Sequence, residues 1–233
     1  VLLLDAGDTL YGQQPLAERS NAKVMIDAMN LMGYNAMVIG DLDLQLGVDV
    51  LRQRIKDAKF AILSANLMVA GENKLLAQPY TIVDVDGRKV GIIGLTWDGV
   101  SPDDPSVKDK FFLLKADVVL PQYVAEVSKQ ANIVIVLSNM GFEEDQRLSS
   151  EVPGIDLIVG GRSRMPMNAA WHNETTGTTV VQAGAQGEWI GRRSLEFDGA
   201  GVVIGYQDEL IYLTEDLADD PEMRAFLDNY QVQ

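Results

Sequence analysis

The chain has 233 residues, 47% of them apolar and 23% charged, a balance that suits an ordinary folded domain and excludes disordered and fibrous classes. Its formal charge is −15, and its 19 Lys and Arg form no basic cluster, so its field repels polyphosphate backbones and anionic lipid and disfavours nucleic acid and membrane as partners. It contains no cysteine, which removes disulfides, thiolate metal ligands and cysteine nucleophiles but fits either redox compartment.

The length fits one α/β domain over 1–233. No stretch reaches the roughly 20 apolar residues of a membrane-spanning helix. The sequence starts directly in the apolar run Val1-Leu2-Leu3-Leu4, without Met or a targeting segment, which is read as a truncated or processed start. Short apolar runs recur at residues 1–4, 36–39, 60–63, 90–95, 133–137, 157–159 and 179–182. Unbroken apolarity of this length predicts strands buried on both faces. Helical spacing of apolar residues lies between several of them, at 21–32, 50–56 and 118–130. Strand and helix alternate, which implies βαβ units whose loops gather at the carboxyl ends of the strands.

Asp86-Gly87 between two apolar stretches predicts a hairpin with a type I′ turn. A second hairpin is expected from 179–183 and 192–197, followed by a strand over 202–213, so the sheets are mixed. Residues 101–109, with two Pro and three Asp, and the aperiodic stretch 163–177 are expected as surface loops. Pro221 opens a terminal helix within 216–233.

Four segments fall where strands end. They are Leu2-Leu3-Leu4-Asp5-Ala6-Gly7-Asp8-Thr9; Gly33-Tyr34-Asn35-Ala36-Met37-Val38-Ile39-Gly40-Asp41-Leu42-Asp43; Val136-Leu137-Ser138-Asn139-Met140-Gly141 followed by Glu143-Glu144-Asp145; and Val152-Pro153-Gly154-Ile155-Asp156-Leu157-Ile158-Val159-Gly160-Gly161-Arg162-Ser163-Arg164. In this order, and over nearly the whole chain, they resemble the calcineurin-like metallophosphatases, in particular the 5′-nucleotidase branch. The resemblance implies a four-layer α/β/β/α fold with mixed β-sheets between helices, and a site where two divalent cations clamp a phosphate and lower the pKa of a bridging water. It also implies an extracytoplasmic setting and a separate nucleoside-recognising domain beyond Gln233.

Asp8 matches the bridging aspartate of that pattern. Where the pattern has Asn and His, this chain has Asp41 and Leu42. Asn139 stands at a metal-binding His, and the closing Gly-His-x-His is Gly161-Arg162-Ser163-Arg164. The upstream Asp-x-His motif of the family falls before Val1. Arginine is a permanent cation with donors only, so it cannot ligate a metal. The guanidiniums of Arg162 and Arg164 are therefore expected in the space of the two cations, paired with Asp8 and Asp41. The plainer readings are turn residues for the aspartates and exposed loop residues for the arginines. Asp43 is read as a local hydrogen-bonding residue, and Glu143-Glu144-Asp145 as a helix N-terminus. His172, the single histidine, lies outside all four motifs and is read as neither ligand nor base.

Three functions remain from the sequence. The first is a non-catalytic relative, a relict site of Asp8, Asp41, Leu42, Asn139, Arg162 and Arg164 with no cofactor, acting as a binding or scaffold module for an unknown protein. The second is an active phosphoester hydrolase with one divalent cation (Mn, Mg or Zn) on Asp8, Asp41 and Asn139. The third is a metal-free module that binds a small anion.

Overall fold

The computed structural model describes residues 1–12, 15–101, 103–198 and 203–231. The first third contains β1 (Leu4–Asp5), α1 (Pro15–Arg19), α2 (Lys23–Met32), β2 (Ala36–Val38), α3 (Gly47–Asp57) and β3 (Ala61–Leu63). The middle adds β4 (Leu67–Val69), β5 (Lys74–Leu75), β6 (Tyr80–Val85), β7 (Arg88–Leu95), β8 (Phe111–Leu113), α4 (Ala116–Val127), β9 (Ile133–Ser138) and α5 (Phe142–Glu151). The chain continues through β10 (Leu157–Gly160), β11 (Trp171–His172), β12 (Thr179–Gln182), β13 (Trp189–Phe197), β14 (Val203–Tyr212) and α6 (Pro221–Gln231).

Strands β1, β2 and β3 form a parallel sheet in that order, and a mixed sheet has the order β11-β12-β10-β9-β7-β6. Alternating residues of the short apolar runs explain how the two stack. On β2, Met37 packs with Ile26 and Met29 of α2 and Leu51 of α3, whereas its neighbours Ala36 and Val38 pack with Val90, Ile92, Ile133 and Ile135 of the larger sheet. The other face of that sheet sends Ile93, Leu95, Val134 and Val136 against Leu120 and Val124 of α4 and Leu148 of α5. The layers are thus helix, sheet, sheet, helix, which is why these strands carry no polar face. Each buried Val, Leu or Ile contributes roughly 1.5–3 kcal/mol, so an ionised side chain at Val136 would remove that gain and bury an unpaired charge.

The Asp86-Gly87 hairpin is present. Val85 faces Arg88 across a two-residue turn with φ of 52° and 81°, as type I′ requires. The second hairpin is different from the expected one. Both edges of β12 are already taken, by β10 in parallel and by β11 antiparallel, so β13 pairs instead with β14 as a two-stranded ribbon. The stretch 163–177, expected as irregular, supplies β11. Val202, placed at the start of the last strand, and Pro102, within the expected 101–109 loop, lie outside the described residues. Helix α6 rests on α2, where the Tyr230 hydroxyl donates to Asp27. Among the described residues no helix is long and apolar enough to cross a membrane.

Candidate functional site

The carboxyl ends of β1, β2, β3, β7, β9 and β10 meet at one edge of the two sheets, and loops there hold the residues singled out above. After β1 the chain turns sharply. The Asp5 carboxylate accepts the Gly7 N–H at 2.9 Å and the Thr9 hydroxyl at 2.8 Å, and Gly7 and Asp8 both take left-handed backbone, φ 90° and 62°. This turn lays the Asp8 carboxylate over Gly40, where Oδ1 accepts the Leu42 N–H at 3.0 Å. A Cβ at position 40 would lie 2.0 Å from that oxygen, so only glycine admits it. Burial raises the Asp8 carboxyl above its ordinary value, with the charge of Asp41 adding to it and the Leu42 N–H, Asn139 and Arg162 opposing it.

Asp43 clips the two loops together. It is fully buried and accepts four backbone N–H groups, from Gly40 (2.9 Å), Asp8 (3.2 Å), Leu10 (2.9 Å) and Tyr11 (3.1 Å). Burial pushes its carboxyl up to about 7 against the pull of these donors. Leu42 opens the short 3-10 turn Leu42–Leu46 and serves the site through its backbone N–H alone. Asn139 is buried, with Nδ2 donating to the Ala6 carbonyl at 3.0 Å and Oδ1 accepting the Asp41 N–H at 3.1 Å, so its amide spans the loops after β1 and β2.

Arg162 and Arg164 behave differently. The Arg162 Nε donates to Asp41 Oδ1 at 3.2 Å, and the guanidinium carbon stands 3.4 Å from the centre of a Trp97 ring. The guanidinium of Arg164 is exposed and makes no ion pair or hydrogen bond among the described residues. The expected double pairing is thereby corrected to a single one, and Asp8 bonds to neither arginine. The cause lies in the turn itself. Both arginines have left-handed backbone, φ 64° and 56°, about Ser163, whose Oγ accepts the Phe142 N–H at the start of α5. With that middle residue tied down, only the arginine before it faces Asp41.

Trp97 is a site residue that sequence reasoning missed. Its signal was an aromatic in the loop after β7, directly following a polar residue at a strand end. That residue, Thr96, is fully buried and fastens the two sheets. Its backbone N–H and C=O bond to the Asn66 side chain at 2.9 and 2.7 Å, and its hydroxyl donates to the Ile39 carbonyl at 2.7 Å and meets Ser64 at 2.8 Å.

His172 lies elsewhere, on β11, with Nδ1 3.1 Å from the Thr179 hydroxyl and Nε2 2.8 Å from the Tyr206 hydroxyl. Glu143, Glu144 and Asp145 form the first turn of α5. Asp145 is turned inward, fully buried, and hydrogen-bonded to the Ser138 hydroxyl.

Of the residues singled out from the sequence, Asp8, Asp41 and Asn139 could offer oxygens to a cation, and each already has an oxygen bonded within the protein, to the Leu42 N–H, the Arg162 guanidinium and the Asp41 N–H respectively. Among the described residues no three His, Asp or Glu side chains are arranged to hold a metal ion.

No family model matches the chain. Among curated proteins it is 29% identical to protein UshA of Yersinia enterocolitica over 100% of this chain and 51% of the relative, and 30% identical to human 5′-nucleotidase over 100% of this chain and 44% of the relative. The chain thus spans about half the length of these relatives. Among solved structures, the 5′-nucleotidase precursor of Thermus thermophilus superposes with a TM-score of 0.85 at 28% identity, covering 99% of this chain and 49% of that one. The sulfate thiohydrolase SoxB of Thermus thermophilus superposes at 0.88 with 23% identity over 99% of this chain and 42% of that one, a likeness of fold alone.

Proposed function

The chain belongs to the calcineurin-like metallophosphatases, on their 5′-nucleotidase branch, and from that premise we propose that it is a non-catalytic member that has exchanged its metal centre for an internal arginine and works as a binding or scaffold module. The observation that carries this reading is the Arg162 guanidinium bonded to Asp41, at a position where the family pattern has a histidine. Two divalent cations need anionic or neutral ligands with free lone pairs. The donors this chain itself supplies are two aspartates and one amide, and the permanent cation already on Asp41 opposes a metal ion on that carboxylate. Leu42, where the pattern has a proton-donating His, can move no proton. The strand framework survives because it rests on apolar layers that do not depend on the site.

The test uses the full-length protein. It is loaded with Mn²⁺, Zn²⁺ or Mg²⁺, freed of excess, and assayed for bound metal by elemental analysis and for hydrolysis of a generic phosphoester. Near-zero metal and no turnover are expected. Stoichiometric metal, with turnover abolished by Asp8→Ala, would overturn the reading and establish a hydrolase of nucleotides or related phosphoesters on Asp8, Asp41 and Asn139. The exposed Arg164 favours a second reading, in which the rim holds a small anion such as phosphate or sulfate, since a guanidinium fork matches such oxygens. Phosphate-dependent protection that disappears in Arg164→Ala would support it.

A further inference from the structure

Trp97 is closely packed. The Arg162 guanidinium lies over its ring. Gly99 also abuts the indole, and a Cβ there would come within 2.5–2.8 Å of three of its atoms, so any other residue would displace the ring. The flanking residues are fixed as well. Thr96 is buried in its polar network with Asn66, Ser64 and the Ile39 carbonyl, and the Asp98 carboxylate accepts the Ala116 N–H at 2.7 Å and pairs with Lys115 at 3.0 Å, which ties the loop to the start of α4. The residues on either side of the indole are therefore anchored by contacts that do not involve Arg162. Opposite it stands Asp41, whose carboxylate is 17% exposed and whose N–H is held by Asn139. An aromatic face and a carboxylate within reach of one guanidinium, both preset, are the two elements that recognise a planar organic cation.

We propose that Trp97 and Asp41 form a preorganised seat for a guanidinium group, that Arg162 is its resident occupant, and that an arginine side chain of a partner protein can take its place. Two features of Arg162 suit a displaceable occupant. Its side chain is 33% exposed and makes a single hydrogen bond to Asp41 at 3.2 Å, short of the two-bond fork a guanidinium can offer. Its backbone sits at φ 64°, a conformation that disfavours any residue with a Cβ, so the turn gains nothing from a side chain at this position beyond the seat itself. A partner arginine arriving with free rotation could make both bonds of the fork while keeping the ring contact. The proposal names the ligand class of the same site and rests on the reading that no metal ion occupies Asp41.

The experiment is occupancy of the emptied seat by methylguanidinium in the presence of a chelator. Arg162→Gly removes the occupant and suits the left-handed backbone, and Arg162→Ala serves as the second variant. Both are checked for native unfolding before titration. The expected result is a saturable heat change in titration calorimetry at millimolar methylguanidinium, weaker in the unaltered protein, where Arg162 competes for the seat, and weakened about tenfold when Trp97→Leu is added. Tetramethylammonium at equal concentration should bind less well, since it has no N–H for Asp41. No saturable change in either folded variant, or a change that persists with Trp97→Leu, would overturn the proposal. Metal uptake and turnover are read in a separate assay, so failure of this proposal and failure of the non-catalytic reading are distinguishable.

Discussion

Two arginine–carboxylate pairs in this molecule each stack on an aromatic ring, yet they do different work. Arg193 and Asp208 face each other directly across the β13–β14 ribbon, with both carboxylate oxygens 2.9 Å from one guanidinium nitrogen, side chains 12% and 20% exposed, and the Tyr206 ring 4.3 Å away. The Arg193 guanidinium also reaches Thr179 on β12 at 3.3 Å, so the pair sets the ribbon's register and fastens it to the larger sheet. Arg162 and Asp41 are 121 positions apart, come from loops after different sheets, and meet through one bond. The first pair belongs to the fold and the second to the site, and the difference is legible in geometry: the two carboxylates are covered alike, but the structural pair is doubly bonded by an arginine 12% exposed and the site pair singly bonded by one 33% exposed.

A buried carboxyl with no cation in hydrogen-bond contact tests that contrast most severely. Burial pushes Asp145 up to about 7, from an ordinary value of 3.8 in the unfolded chain. Between those values the folded protein holds a proton that the unfolded chain has released. The stability this group contributes is therefore fully present below 3.8 and lost as pH rises through about 7, a total on the order of 4 kcal/mol. Denaturant unfolding from pH 4 to 8 should show the decline, with Asp43 contributing a similar share, and Asp145→Asn should make it roughly half as steep; equal slopes in the two proteins would mean the Asp145 carboxyl titrates normally. Next in size, Arg193→Ala should cost about 2–3 kcal/mol, because it removes two charge-assisted bonds to Asp208 and the tie to Thr179. A loss below about 1 kcal/mol in the same assay would place that pair with the surface. Arg162→Ala should cost about 1 kcal/mol or less, the scale of a half-exposed ion pair with a cation–π contact. If it cost as much as Arg193→Ala, the distinction between fold and site would collapse.

The buried strands and their alternation with helices were readable because strands covered on both faces spell unbroken apolar runs, and the hairpin because Asp86-Gly87 admits essentially one kind of turn, whereas the four-layer stacking came only from the family resemblance. The partner of β13 was not readable. Which edge of β12 is free depends on β11, two residues inside an aperiodic stretch, and no local pattern announces a strand that short. At the site, Asp8, Asp41, Asn139 and Arg162 converge as the ordered motifs implied, since parallel strands deliver their ends to one edge. Arg162 and Arg164 carry the same chemistry two residues apart, and what separates them is the tether of Ser163 to a helix 21 residues earlier in the chain. Trp97 left no periodic trace, because a loop aromatic obeys no repeat.

Thr96 gives the site a mechanical property. Its hydroxyl bonds the Ile39 carbonyl beyond β2 and its backbone bonds Asn66 beyond β3, so the two sheets are cross-linked at the very edge where the candidate residues sit, while apolar side chains pack between their strands. Apolar layers resist separation but slide with little resistance, whereas directional bonds resist shear. Under load the sheets would pivot about this edge, and the spacing between Asp41 and the Trp97 face would be among the last dimensions of the protein to change.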